Sequence, residues 1–282
     1  MSHAPAPFAL NAVARLRDER EEEGIKPIQA RGWRAPRCRA CRVIESHCLC
    51  AWRPQVETRS GVCLIMTNKE VFKPSNTGWL IADVVTDNFA FIWSRTEVDQ
   101  QLLKLLSDPQ WQPYLVFPGE YVEPERVTHT VEVDCKKRPL FILLDATWTE
   151  ARKIFRKSPY FDDFPILSLL PEKLSRYRLR RSTRSEHLCT AEVAALCLDL
   201  AGDLEAASAL DAYFDVFSQH YLDAKNQLQL NVLTPAHAEL MPFVQYPAPV
   251  MCNESPILEK NGASGRACNL TTPASLGMLG AD

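Results

Sequence analysis

The sequence predicts an α/β fold with a mostly parallel sheet. Short apolar runs at residues 62–66, 114–117 and 140–144 show no polar alternation. Strands read this way when both of their faces are covered. Segments with helical apolar spacing fall between these runs, and that alternation is the signature of βαβ units. The chain has 282 residues and is 46% hydrophobic, enough to build a sizeable core.

Residues 1–35 read as a partly flexible segment, Ala- and Pro-containing at first and then charged from Arg15 to Glu23, where a short helix fits. Residues 36–53 form a cysteine-rich knob. Residues 60–230 hold the main domain. Its first strand covers 62–66, and a helix over 77–85 has Ser75 or Asn76 near its start. A strand at 89–93 is followed by a helix over 96–106 that ends before Pro109. Pro118-Gly119 break the strand at 114–117. The strand at 140–144 leads into a helix over 149–157, and a short strand follows at 166–169. Helices over 190–200 and 203–227 are split at Gly202. From residue 233 the chain is rich in Pro, Gly, Ser and Asn without periodicity, which predicts a flexible tail over 233–282. There is no internal repeat.

No stretch approaches 18 consecutive apolar residues, so no membrane span is expected. The N-terminus lacks a basic segment followed by an apolar run. A cytoplasmic location with reduced thiols is therefore expected. The net charge of −3 hides an asymmetry: residues 31–53 carry a local +5, residues 150–186 another +5, and the remainder −13. Two basic segments in an otherwise acidic chain predict contact with a polyanion such as RNA, because Lys and Arg displace counterions from phosphates. The candidates are Arg34, Arg37, Arg39 and Arg42 in the first segment and Arg152, Arg156, Arg178, Arg180 and Arg181 in the second.

Cys38-x-x-Cys41 and Cys48-x-Cys50 place four thiols within thirteen residues. Four soft ligands from tight turns suit tetrahedral Zn²⁺, and nearby arginines favour thiolate over thiol. An iron–sulfur cluster accepts the same ligands, and spacing does not separate the two. With four protein ligands the site is expected to be structural. The remaining cysteines, Cys63, Cys135, Cys189, Cys197, Cys252 and Cys268, read as core or incidental thiols.

The richest stretch for chemistry runs from Leu140 to Phe155. A buried strand ends at Asp145, turns through Thr147 and Trp148, and becomes a helix. Ligands of open α/β sheets bind at the carboxyl ends of such strands. Asp and Thr are also good helix caps, and a lone Trp often packs in a core. Phe117-Pro118-Gly119 makes a second turn at a strand end, where backbone approaches a ligand closely. Cys189-Thr190 open a helix whose N-terminus offers N–H groups and a positive dipole end to an anion. These residues form the candidate pocket. Lys73, Ser75, Asn76 and Thr77 make a further polar turn.

Several motifs occur together in order. They are Lys73-Pro-Ser-Asn-Thr-Gly78, Phe91-Ile-Trp-Ser-Arg-Thr96, Val116-Phe-Pro-Gly119, Asp145-Ala-Thr-Trp148, Phe155-Arg-Lys-Ser-Pro159, Tyr177-Arg-Leu-Arg180 and Cys189-Thr-Ala-Glu-Val193. The set resembles the DTW-domain proteins, the tRNA-uridine aminocarboxypropyltransferases, in their bacterial, zinc-containing branch. The resemblance covers roughly residues 36–230. It implies a SPOUT-like sheet with a knotted C-terminal cofactor pocket. It also implies S-adenosylmethionine as co-substrate, tRNA as partner and a uridine N3, in the variable loop for bacterial members, as acceptor. On this reading Asp145 is the candidate catalytic base, and Phe117, Pro118, Gly119, Asp145, Thr147, Trp148, Cys189 and Thr190 are the candidate cofactor contacts. Competing expectations are a methyltransferase of similar architecture and a zinc-dependent RNA-binding protein without catalysis.

Overall fold

A computed structural model describes residues 10–26, 35–132, 136–169, 188–232 and 234–244. Six strands form one all-parallel sheet: β1 (Gly61–Met66), β2 (Asn88–Ile92), β3 (Trp111–Val116), β4 (Val127–Thr128), β5 (Arg138–Asp145) and β6 (Ile166–Leu167). Their order is β2-β1-β5-β3-β6-β4. β5 lies in the middle, pairing Met66 with Asp145 on one side and Val116 with Leu143 on the other. This position explains its unbroken apolar run. Phe141 and Leu143 enter one core and Leu140 and Ile142 the other, so both faces are buried.

Helices cover both faces. On the first lie α1 (Ala12–Glu22), α2 (Asn68–Phe72), α3 (Gly78–Val84), α6 (Thr190–Leu200) and α7 (Leu204–Lys225). On the second lie α4 (Gln100–Ser107) and α5 (Trp148–Arg156). Cys63 and Cys197 are fully buried core thiols.

Several boundaries differ from expectation for identifiable reasons. α4 starts at Gln100 because the Asp99 carboxylate caps it, accepting from Gln101 N at 2.7 Å, while Ser94 holds residues 94–97 in a turn. α1 is ordered by tertiary contacts. The Asn11 amide donates to Asp83 and to the Trp79 carbonyl, and Val13 and Leu16 join the core. β4, at two residues, is too short to leave a pattern.

The expected flexible tail from residue 233 needs correction over residues 234–244. There Thr234 precedes a short helix, α8 (Pro235–Leu240), and Leu240 and His237 are buried. His237 meets Trp52 edge-on at 4.5 Å, and Gln55 N donates to the Phe243 carbonyl. The folding signal is a contact with residues nearly two hundred positions away, which six residues of sequence do not reveal. The knob is likewise no separate bead: Val43 and Leu49 are wholly buried in the first core. The passage from β6 to α6, where a knot would be threaded, runs through residues 170–187, outside the described set.

Candidate active site and metal centre

Asp145 is the last residue of β5, and alternation along the strand turns its side chain to the face of α3 and α6. It is 4% exposed. Its Oδ2 accepts from Asn76 Nδ2 at 2.8 Å and its Oδ1 from the Thr190 hydroxyl at 2.7 Å. Asn76 also donates to Glu70, which pairs with Lys73 at 3.0 Å, while Asn76 Oδ1 accepts from Gly78 N at 2.9 Å and so opens α3. Gly78 is required here. A Cβ at that position would collide with Asp145 Oδ2. The polar turn at 73–77, the end of β5 and the start of α6 thus meet on one carboxylate.

Burial pushes the Asp145 carboxyl up to about 6, against the downward pull of the hydrogen bonds from Asn76 and Thr190. The Glu70 carboxylate adds to the rise and Lys73 opposes it. Both direct partners are neutral. Among the described residues the ionised carboxylate is therefore a buried anion without a cation in contact, an arrangement that invites a cationic ligand.

Thr190 is not the helix cap. Cys189 holds that position, its N–H donating to Glu192 at 2.7 Å, which leaves the Thr190 hydroxyl free to reach Asp145. The Ala191 N–H is already engaged by Thr77 Oγ1 at 3.3 Å. Burial, reinforced by Glu192, raises the Cys189 thiol to about 11, so it stays protonated at neutral pH.

Two of the other expected pocket residues, Phe117 and Trp148, pack on the opposite face. Phe117 belongs to the second core, and Trp148 stacks on it with ring centroids 5.4 Å apart. Thr147 is the α5 cap, in a reciprocal capping box with Glu150. Gly119 is closely packed: a Cβ there would meet the side chains of Val127 at 3.0 Å and Ser168 at 3.2 Å. Pro118, before it, is exposed. Phe117 and Trp148 thus stand together on the second core, while Asp145 and Thr190 meet on the first. Trp148 departs from the usual fate of a lone tryptophan and is 48% exposed.

In the knob, the four Sγ atoms of Cys38, Cys41, Cys48 and Cys50 all lie within 4.8 Å of one another. Cys38 and Cys50 are 3.5 Å apart and Cys41 and Cys48 3.8 Å. Four thiolates about 2.3 Å from a tetrahedral ion stand about 3.8 Å apart, so the donor set and spacing fit Zn²⁺. Local structure pre-forms the site. The backbones of Cys38 and Val43 bond across a tight turn in which Arg42 adopts φ 60°, and Leu49 N donates to Cys41 Sγ.

The knob arginines are largely occupied. Arg37 donates to the Arg42 carbonyl at 3.1 Å, and Arg42 is half-buried. Arg39 is exposed but pairs with Asp18 at 2.9 Å. Arg152 and Arg156, by contrast, are exposed on α5, as are Lys153 and Lys157. Arg34, Arg178, Arg180 and Arg181 lie outside the described residues. Two residues escaped the sequence reading. Glu70 gave no signal, while Tyr121, directly after the Pro118-Gly119-Glu120 turn, was visible as an aromatic at a strand end.

Among the described residues no helix is long and apolar enough to cross a membrane. No solved structure matches the chain. The family model of the DTW domain matches residues 35–222, which span the cysteine cluster, the sheet and both sites at its rim. The chain belongs to the DTW domain family.

Proposed function

We propose that this protein transfers the 3-amino-3-carboxypropyl group of S-adenosylmethionine to N3 of a tRNA uridine. Membership of the DTW family supports the reaction class. The observation that carries the reading is the buried Asp145 carboxylate held by Asn76 and Thr190 at the sheet's carboxyl rim.

In the reaction uridine N3 gives up its proton to solvent, and its electron pair attacks the methylene carbon bound to sulfur. The carbon–sulfur bond breaks, its pair returns to sulfur, and methylthioadenosine leaves. The arrangement supports Asp145 as the anion that complements the donor's cationic groups more than as the base for N3. Both of its oxygens already accept from fixed donors, and these favour the charged form. Fixing the donor beside this anion aims one particular carbon at the acceptor, which is where selection of propyl over methyl arises. On this reading the cofactor sits on the α3 and α6 face, near Asn76, Cys189 and Thr190. The knotted, SPOUT-like pocket belongs to the same proposal. So does zinc in the four-cysteine site as a structural ion.

The test is a donor labelled separately in its carboxyl and methyl carbons, incubated with protein and unmodified tRNA transcript. Carboxyl label in the tRNA with methyl label in released methylthioadenosine is expected. Methyl label in the tRNA would make the protein a methyltransferase, and no transfer of either would leave an RNA-binding protein.

A further inference from the structure

Among the described residues the aromatic rings on the α5 face contact one another and none of the partners of Asp145. Phe155, Phe117 and Trp148 form a ladder of near-parallel rings, Phe117 stacking on Phe155 at 4.4 Å and 5° and on Trp148 at 5.4 Å and 15°. Tyr121 stands edge-on to both Phe117 and Trp148 and closes one side. Trp148 and Tyr121, at 48% and 40% exposure, are the solvent-facing end of a stack whose inner rings are buried or half-buried. The capping box at Thr147 fixes the backbone that carries Trp148. An indole held in this way has a flat apolar surface that cannot relax inward. It loses little conformational freedom when another flat ring lands on it.

Charge selects the visitor. Arg152 lies over the Tyr121 ring at 5.0 Å, and Arg156 follows one turn later. Together with Phe117, Tyr121 and Phe155 they line a cleft of about 190 Å³. Among the described residues none of Arg152, Lys153, Arg156 and Lys157 forms an ion pair. Among the described residues no acid lines the cleft. An apolar peptide would leave these cations uncompensated. A nucleotide supplies both a planar base and a phosphate.

We propose that Trp148, Tyr121, Arg152 and Arg156 form a seat for one unpaired nucleotide of RNA, with its base on the indole and its phosphate on the guanidinium groups. That the polymer is RNA rests on the function proposed above, while the seat itself rests on the geometry. A base inside a duplex keeps its faces stacked on its neighbours, so the seat accepts loops and not helices. Trp148 follows Asp145 by three residues at the carboxyl end of β5, and the seat so anchors a nucleotide of the substrate RNA near the reacting one.

The test is fluorescence anisotropy with a labelled RNA hairpin bearing a U-rich loop, against a blunt duplex of the same stem, over a range of salt. Wild-type protein is expected to favour the hairpin. Trp148→Ala and Tyr121→Ala are expected to weaken hairpin binding roughly five- to a hundredfold without changing the salt slope. Arg152→Ala is expected to lower the slope by about one. Both aromatic changes are at exposed positions, and near-ultraviolet circular dichroism verifies the fold. Calorimetry with S-adenosylmethionine should show unchanged affinity in the Trp148 variant. Wild-type hairpin affinity in Trp148→Ala would overturn the proposal, as would loss of S-adenosylmethionine affinity with RNA binding intact. Failure of labelled-donor transfer with the hairpin pattern intact would remove the proposed activity alone.

Discussion

Replacing Asp145 with Asn separates the cost of its charge from the value of its hydrogen bonds. An Asn at this position keeps both bonds, its oxygen accepting from Asn76 and its amide donating to the Thr190 hydroxyl. What disappears is the buried charge. The folded carboxyl titrates near 6 against an ordinary value of 3.8, so the folded state holds its proton more tightly than the unfolded chain. The sign follows from linkage. Stability from this group is fully present below pH 3.8 and is lost as pH rises through 6. The total loss is about 3 kcal/mol, of which about 1.4 kcal/mol falls between pH 5 and pH 8. Urea unfolding of both proteins at several pH values reads this, since groups remote from Asp145 titrate alike in the two. Asp145→Asn should gain on wild type by about 1.4 kcal/mol over that interval. A stability difference that stays flat with pH would refute the reasoning, because it would mean that Asp145 ionises as freely in the folded state as in the unfolded one. A protein that keeps so costly a charge keeps it for function. The same titration sets ligand binding: affinity for S-adenosylmethionine should fall below about pH 6, up to tenfold per unit, and the Asn variant should bind weakly at every pH. Isothermal calorimetry checks both.

Further outcomes follow from the same contacts. Gly78→Ala forces a methyl against Asp145 Oδ2 and should cost about 1–3 kcal/mol by chemical denaturation. Leu240→Ala, in the segment expected to be flexible, should cost about 2–5 kcal/mol because the side chain is fully buried; a loss near zero would mean that residues 234–244 do not pack. Thr147→Ala should cost about 1 kcal/mol through the lost cap and leave affinity for S-adenosylmethionine unchanged in calorimetry. Cys38→Ser should lower bound zinc, read by elemental analysis, and also the melting temperature of the whole domain, because the knob shares the first core.

Much of this architecture was legible in the sequence because its causes are local. β5 announced itself as a run of apolar residues ending in an acid, and its central place in the sheet is why that run is unbroken. The cysteine spacing announced a cluster, since two tight turns bring the thiols together whatever the rest of the chain does. What sequence could not supply was direction. Asp145 and Trp148 are three residues apart, yet the intervening turn sends Trp148 onto Phe117 while Asp145 meets Asn76 and Thr190. Glu70 is buried only because Lys73 and Asn76 meet it there, a fact of packing and not of pattern. The same holds for the knob arginines. Composition counted them as a basic patch, but Arg37 and Arg39 spend their guanidinium groups within the protein.

The central claim is that a uridine of tRNA receives an aminocarboxypropyl group from this protein. Nucleoside mass spectrometry of tRNA from cells lacking it, and from the same cells resupplied with it, tests that claim most directly. One uridine derivative, heavier by the aminocarboxypropyl group, is expected to vanish in the first sample and return in the second. Identical nucleoside profiles in the two samples, or the disappearance of a methylated nucleoside in its place, would contradict it.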